Sequence, residues 1–286
     1  MQWLAGATLL VLLPVVVFGV SVYVVAVYAA WTLVWLGGGR RDLPAHPVRA
    51  FVVELFCVTA VVLLSARALG RRLERLHDGR PGAVPVLCVH GYTQNLGNWV
   101  VMSSRLARGG TGAVYGINLR PKFVELEVWA AQIVDALRQI QRETGATHVD
   151  VVCHSMGGLA TRLALARHGA DVMVRRVVTL GSPHRGTVLA PLGLGANAAQ
   201  MRVGCAFLTG LPEGPATLTS IWSTCDGMVL PVDHAVWGGR QVVFHDLGHL
   251  SLLFSPRVAH ATVEALTAPE AALDVTSAPA PSLAIA

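Results

Sequence analysis

An uncharged apolar run opens the chain and limits what its first part can become. Residues 4–36 contain no Asp, Glu, Lys or Arg, and the run exceeds the roughly 20 residues that a helix needs to cross a bilayer. A signal peptide is the alternative, but it fits poorly because the run is too long and no Lys or Arg precedes it. Trp31 and Trp35 suit the interfacial positions that tryptophan favours in membranes.

A second apolar run, residues 50–69, follows a short polar turn at residues 37–49. Its acidic residue, Glu54, lies about one turn inside the run. We therefore expect residues 1–70 to form two transmembrane helices arranged as a hairpin. An amphipathic or core helix remains the alternative for the second run.

Arginines concentrate at the end of the second run and directly after it, at Arg67, Arg71, Arg72, Arg75 and Arg80. Basic residues favour the cytoplasmic side, and the turn between the two runs carries Arg40, Arg41 and Arg49. The cluster after the second run is larger, so in a bacterial inner-membrane protein it favours a cytoplasmic C-terminal domain over the opposite orientation. The formal net charge of +5 fits contact with anionic headgroups. No basic stripe with interleaved aromatic residues indicates a nucleic-acid partner. Residues 71–83 are expected to form a basic linker.

Beyond the linker, residues 84–267 alternate between short apolar runs and longer stretches with apolar residues at helical spacing. This alternation predicts an α/β catalytic domain with a mostly parallel sheet flanked by helices. The expected strands are 84–89, 113–119, 149–153, 174–180, 217–223 and 241–245, and the expected helices are 96–108, 124–143 and 156–168. Residues 268–286 are rich in Ala and Pro and are expected to be a disordered tail.

The motif that most directly indicates chemistry is DVVCHSMGGL at residues 150–159. It reads as a strand, a sharp turn that carries Ser155, and a helix, which is the context of a nucleophile elbow. The usual pattern is G-x-S-x-G, and Cys153 stands in place of the first glycine. The backbone N–H of Met156 would stabilise a developing oxyanion. A simple helix-capping serine is the alternative.

A second motif, His90-Gly91-Tyr92, follows the first expected strand of the catalytic domain. In the same context, the loop at this place supplies the second oxyanion donor, which here would be the backbone N–H of Tyr92. The imidazole of His90 is interpreted as structural rather than as the catalytic base.

The expected catalytic acid is Asp226, which follows the strand-like run 217–223 and precedes a glycine. The expected base is His249, which follows the last expected strand. Asp233 and Asp246 are the alternatives for the acid, and His245 is the alternative for the base. The chain order is then Ser, Asp, His.

Residues 84–266 resemble the bacterial triacylglycerol lipase and esterase branch of the α/β-hydrolases. The resemblance rests on the His-Gly pair, the CHSMGGL elbow, GSPHRGT at residues 181–187, the late Asp-Gly and GHL at residues 248–250. It implies the α/β-hydrolase fold, preceded here by the hairpin. It also implies a serine hydrolase acting on carboxylic esters of lipid-like substrates. A thioesterase, a phospholipase, a polyester depolymerase and a non-catalytic binding protein of this fold remain alternatives.

Metal and cofactor motifs are not evident, and serine hydrolysis needs neither a metal nor an organic cofactor. The five cysteines form no C-x-x-C pair, and Cys205 with Cys225 is the one plausible disulfide. Residues 189–211, rich in Gly, Ala and Leu, are either a short cap over the site or an ordinary connection. The expected partners are a small-molecule ester or lipid and a membrane.

Overall fold

The computed structural model describes residues 2–37, 46–65, 70–212 and 218–269, with side chains of the first helix from Phe18 onward. Its strands are β1 (Leu73–His77), β2 (Val86–Val89), β3 (Val114–Ile117), β4 (Val149–His154), β5 (Val174–Leu180), β6 (Leu218–Ser223) and β7 (Arg240–Phe244). Its helices are α1 (Gln2–Gly37), α2 (Pro47–Ser65), α3 (Val100–Arg108), α4 (Leu126–Thr144), α5 (Met156–Arg167), α6 (Ala196–Ala199), α7 (Ala206–Thr209), α8 (Ser251–Phe254) and α9 (Pro256–Thr267).

The seven strands form one sheet in the order β1-β3-β2-β4-β5-β6-β7. Strand β1 is antiparallel to β3, and the other neighbours are parallel. The central strands β2, β3 and β4 are buried along their whole length, as expected where helices cover both sides of the sheet. The carboxyl ends of β4, β6 and β7 therefore point to one edge, which carries the serine, aspartate and histidine of interest.

Successive side chains of the central strands pack alternately into two separate hydrophobic cores. Leu87 and Val89 of β2 face the side covered by α4 and α5, which includes the fully buried Trp129. Val86 and Cys88 face the other side, where α3, α8, α9 and the N-terminal hairpin pack. This alternation follows from the two-residue period of a strand.

The N-terminal hairpin lies against the α/β domain, residues 70–269. The buried face of α2 comprises Ala50, Glu54, Cys57, Val58 and Val61, which share one side at helical spacing. At one end of α2, Arg49 pairs with Asp246 at 3.2 Å. At the other end, the carbonyl of Ser65 accepts a hydrogen bond from the Asn95 amide at 2.9 Å. The domain therefore contacts α2 at both of its ends.

The opposite faces of the hairpin are apolar and exposed. On α2 they carry Val48, Val52, Phe56 and Leu63, and on α1 they include Phe18 and Leu33. The segments Phe18–Gly37 and Pro47–Ser65 are long and apolar enough to cross a bilayer. By length and composition alone, a core helix or a signal sequence would also satisfy this criterion.

The observed domain organisation differs from the expected one in two respects. The basic segment 71–83 is not a plain linker, because Leu73–His77 forms the edge strand β1. Leu76 lies against Gly116 of β3, so an apolar side chain within a charged stretch fixes this strand to the sheet. The hairpin is also continuous with one core of the domain. Most of the expected disordered tail, beyond residue 269, lies outside the described residues.

Candidate active site

Ser155 occupies a strained turn between β4 and α5. Its backbone has φ 54° and ψ −132°, a left-handed value of φ that residues other than glycine rarely adopt. The turn is held because the N–H of Ser155 donates to the carbonyl of Leu180 at 2.9 Å. Strain of this kind persists only where the surroundings enforce it, and it is typical of a nucleophile elbow.

Crowding around the turn explains its small residues. A Cβ at Gly157 would lie 2.6 Å from the carbonyl oxygens of Val89 and His90, so only glycine fits there. Cys153 is fully buried, and its thiol donates to the Thr161 hydroxyl at 3.1 Å. Burial raises the pKa of the Cys153 thiol to about 12, so it stays protonated. The missing glycine is thus replaced by a small side chain with its own contact on α5.

Asp226 and His249 form a buried pair. His249 Nδ1 lies 2.7 Å from Asp226 Oδ2. The other carboxylate oxygen, Oδ1, accepts from the N–H groups of Met228 at 2.8 Å and Val229 at 3.0 Å. Because three donors fix the carboxylate, Asp226 can orient the imidazole and stabilise its protonated form.

The alternative acid and base residues have other partners. Asp246 accepts from Arg257 at 2.6 Å and pairs with Arg49. His245 is exposed, and its Nδ1 lies 3.1 Å from the hydroxyl of Thr224. The structure therefore brings Asp226 and His249 together and leaves both of these alternatives outside the pair.

The structure also places Ser155 beside this pair. His154, which directly precedes Ser155, has its ring 4.6 Å from the ring of His249. A Cβ at Gly181 would lie 2.9 Å from Asp226 Oδ2 and 3.2 Å from His249 Nδ1. The residue before it, Leu180, accepts the hydrogen bond from the Ser155 N–H. Among the described residues, Ser155 and His249 form no hydrogen bond. Such contacts are often long until substrate binds, so geometry of this kind is compatible with a nucleophile and its base.

The surroundings of His249 favour a protonated imidazole. Burial lowers the pKa of His249, but the charge of Asp226, its hydrogen bond and the charge of Glu54 together outweigh burial. The pKa of His249 therefore lies above its ordinary value of 6.5.

This direction predicts the pH dependence of catalysis. A general base must be neutral, so kcat/KM for ester hydrolysis should fall as pH drops through the pKa of His249, with a midpoint above 6.5. The measurement is a pH profile of kcat/KM with a soluble short-chain ester. A midpoint below 6.5 would contradict the assigned environment of His249.

The two expected oxyanion donors are both available. Neither the N–H of Tyr92 nor that of Met156 donates a hydrogen bond within the described part of the chain. Met156 is the first residue of α5, where helical N–H groups have no partner in the helix. Gln94, which sequence reasoning missed, links their two loops, because its Oε1 accepts from Gly91 N at 2.9 Å and lies 3.1 Å from His154 Nδ1.

His90 has the structural surroundings expected for it. Its Nε2 accepts from the N–H of Leu119 at 3.0 Å, so Nδ1 carries the proton and donates to the carbonyl of Gly91 at 2.9 Å. Burial lowers the pKa of His90 to about 4, so the ring is neutral. It joins the oxyanion loop to the end of β3.

Residues 189–211 lie over the oxyanion loop. The Tyr92 hydroxyl donates to the carbonyl of Leu194 at 2.8 Å and accepts from its N–H at 2.7 Å. Leu192 and Leu194 are 82% and 69% exposed, and Phe123 stacks edge-on against Tyr92. The segment thus presents apolar surface beside one oxyanion donor.

The structure tests the possible disulfide and shows whether metal-ligating side chains cluster. Cys205 and Cys225 are both free thiols, so the possible disulfide does not form. Within residues 2–37, 46–65, 70–212 and 218–269, no group of three or more His, Cys, Asp or Glu side chains could hold a metal ion.

Solved structures with the same arrangement of sheet and helices identify the fold. Aspergillus fumigatus lipase B superposes with a TM-score of 0.59 at 20% identity, covering 68% of this chain and 56% of that one. The mature form of Bacillus licheniformis lipase BlEst2 gives a TM-score of 0.54 at 20% identity, covering 63% and 90%. The chain has the α/β-hydrolase fold. The candidate triad residues of this chain occur in the order known for that fold.

Proteins similar in sequence to this chain match it over a shorter stretch. The chain is 41% identical over 59 residues, 21% of its length, to proteins named triacylglycerol lipase from Pseudarthrobacter phenanthrenivorans and Burkholderia plantarii. The match spans 18% and 16% of those relatives. Residues 127–221, which include the elbow, match a family model described as a domain of unknown function (DUF7379).

Proposed function

We propose that the chain is a membrane-associated serine hydrolase that cleaves carboxylic ester bonds of lipid-like substrates through an acyl-enzyme on Ser155. The observation that carries this proposal is the strained Ser155 turn beside the buried Asp226–His249 pair. A serine in such a turn has its hydroxyl exposed to substrate, and the neighbouring imidazole can accept its proton.

The proposed reaction has two halves. His249 Nε2 takes the proton of Ser155 as its oxygen attacks the ester carbonyl, and the N–H groups of Tyr92 and Met156 bind the oxyanion. When the intermediate collapses, the protonated His249 gives its proton to the leaving alcohol. A water molecule, activated by the now neutral His249, then attacks the acyl-enzyme and regenerates Ser155. Asp226 keeps its negative charge throughout and stabilises the imidazolium.

Apolar surface near the oxyanion loop supports a lipid-like acyl group. Leu192 and Leu194, in the segment whose backbone contacts Tyr92, have exposed side chains. Phe123, on another loop, is also exposed and packs its ring against Tyr92. Exposed apolar patches of this kind usually mark a binding surface. An acyl chain extending from the bound carbonyl would cover these side chains.

The hairpin supports association with a membrane. The outward faces of α1 and α2 carry Phe18, Leu33, Phe56 and other exposed apolar side chains. Because the domain contacts α2 at both ends, these outward faces are the surfaces that lipid can reach. The proposed association therefore brings the edge of the sheet that carries Ser155 close to lipid.

The test of this function is a substrate panel measured with the full-length chain in detergent micelles and in lipid vesicles. We expect hydrolysis of p-nitrophenyl esters, faster cleavage of medium and long acyl esters than of matched acetyl esters, and stronger activity when vesicles are present. Faster hydrolysis of matched acyl thioesters or of phospholipids would instead support one of the other hydrolase activities. The absence of any hydrolysis, with folded protein, would support a binding protein of this fold.

A further inference from the structure

The two hairpin helices contact the two loops that carry the candidate acid and base. Helix α1 reaches the acid loop, where Trp31 Nε1 donates to the carbonyl of Thr224 at 3.1 Å. On the same loop, Gly227 is so close to Val27 of α1 that a Cβ would clash with its side chain. Helix α2 reaches the base loop through Glu54. The hairpin therefore contacts both loops from outside the sheet and holds them in place.

The contact of Glu54 is specific. Its Oε1 accepts from the N–H of Leu250 at 2.7 Å, and its Oε2 accepts from the N–H of Ser251 at 2.9 Å. Both donors follow His249 directly in the chain. Glu54 is only 5% exposed, and the described residues offer it no Lys or Arg partner within salt-bridge distance.

A buried carboxylate without a cationic partner lowers stability, so it is not expected on a helix whose only role is to pack against the domain. Burying a charge is unfavourable unless hydrogen bonds or opposite charges compensate it, and an apolar side chain would fill the same place more cheaply. Here the two N–H groups of the base loop, and the imidazole of His249 when it is protonated, offset part of this cost.

Gly248, the residue before His249, shows how closely the hairpin approaches. A Cβ at this position would collide with the Glu54 carboxylate and with the Tyr28 hydroxyl of α1. Gly248 has no left-handed backbone in the structure, so this close approach is what requires glycine.

The groups that face His249 come from four elements. Asp226 comes from the loop after β6, Glu54 from α2, His154 from the end of β4, and Tyr28 of α1 lies beside Gly248. Burial lowers the pKa of His154 well below its ordinary value, so that ring is neutral. The two carboxylates are thus the charges that act on His249.

We propose that Glu54 is a positioning residue for the base: it holds the His249 loop through Leu250 and Ser251, and it makes the hairpin part of the active site. This inference rests on the proposed function, since it assigns Glu54 a role in setting the base of that reaction.

The test is Glu54→Gln, which keeps the size of the side chain but removes its charge. We expect the maximal kcat/KM to fall roughly 10- to 100-fold, because one carboxamide cannot accept from both N–H groups and the loop shifts. We also expect the acidic limb of the pH profile to move to lower pH. The sign follows because the Glu54 charge raises the pKa of His249, so its loss lowers that pKa.

The matched control is Phe56→Gln, on the same helix but 70% exposed on its outward face. It should keep the wild-type limb and maximal kcat/KM for a soluble ester. Titration with a fluorophosphonate counts active sites, so rates are compared per folded site.

Gly248→Ala is the second variant, and it tests whether Glu54 positions His249 if Glu54→Gln does not fold. It should displace the carboxylate and likewise lower kcat/KM and move the limb to lower pH. A wild-type profile in both variants would overturn the proposal, and so would a lower maximum with an unmoved limb, which a merely structural role would give. If the wild type itself shows neither labelling nor hydrolysis, the proposed function fails instead.

Discussion

Ser155→Ala should lower kcat for p-nitrophenyl ester hydrolysis by about 10⁶-fold, to the residual rate that binding and the oxyanion donors alone provide. The methyl group cannot form an acyl-enzyme, and alanine fits the small space of the turn. The variant should fold, since the backbone contacts that hold the turn, including Ser155 N to Leu180 O, do not use the hydroxyl. The measurement is initial rates with purified wild type and variant.

The matched control is Ser104→Ala, a serine on the partly exposed surface of α3. Its rate should equal that of the wild type. If Ser155→Ala kept more than a few per cent of the wild-type kcat while Ser104→Ala was unchanged, another residue would be the nucleophile.

Asp226→Asn should lower kcat by about 10⁴-fold with little change in KM. The carboxylate accepts from His249 on one oxygen and from Met228 N and Val229 N on the other. A carboxamide has one acceptor oxygen, so its NH₂ group faces a donor in either orientation. His249 then loses its orientation or adopts the wrong tautomer, and the imidazolium loses its stabilising charge.

Asp233→Asn is the matched control for this prediction, because Asp233 is the acid that chain order alone also permits. It lies in a short 3₁₀ turn, Val232–Ala235, and should keep nearly full activity. A large loss in Asp233→Asn together with an active Asp226→Asn would contradict the assignment of the acid. Circular dichroism of each variant separates lost chemistry from lost folding.

Local patterns in the sequence were sufficient to predict much of the α/β domain. The strand before Ser155 and the helix after it have short-range causes: an apolar run, then small residues, then helical spacing. The expected runs 149–153 and 174–180 correspond to Val149–His154 and Val174–Leu180 in the structure. The α/β fold and its mostly parallel sheet are confirmed.

Features that depend on distant contacts could not be predicted in this way. Glu54 and Leu250 are 196 residues apart, so no pattern around Glu54 reveals that its carboxylate meets the base loop. Gln94 is similar, since its role exists only where the oxyanion loop and the elbow meet. Strand β1 was missed because two charged residues separate its two leucines, a spacing without the two-residue period of a strand. Its pairing with β3 makes it a strand.

The sequence also indicated the hairpin as apolar and helical without indicating where it lies. The run that contains Glu54 could span a bilayer by length, and the sequence places its acidic residue about one turn inside the run. In the structure, one face of α2 instead joins a core of the domain. Hydropathy measures how apolar a segment is, whereas the face it buries depends on the partner it meets.

The most direct test of the central claim is to label the full-length wild-type chain with a fluorophosphonate and identify the modified residue by peptide mass spectrometry. We expect one adduct per chain, on Ser155, and no adduct in Ser155→Ala. Labelling of a different residue, or ester hydrolysis that persists while Ser155 remains unmodified by excess reagent, would contradict the claim that Ser155 is the nucleophile.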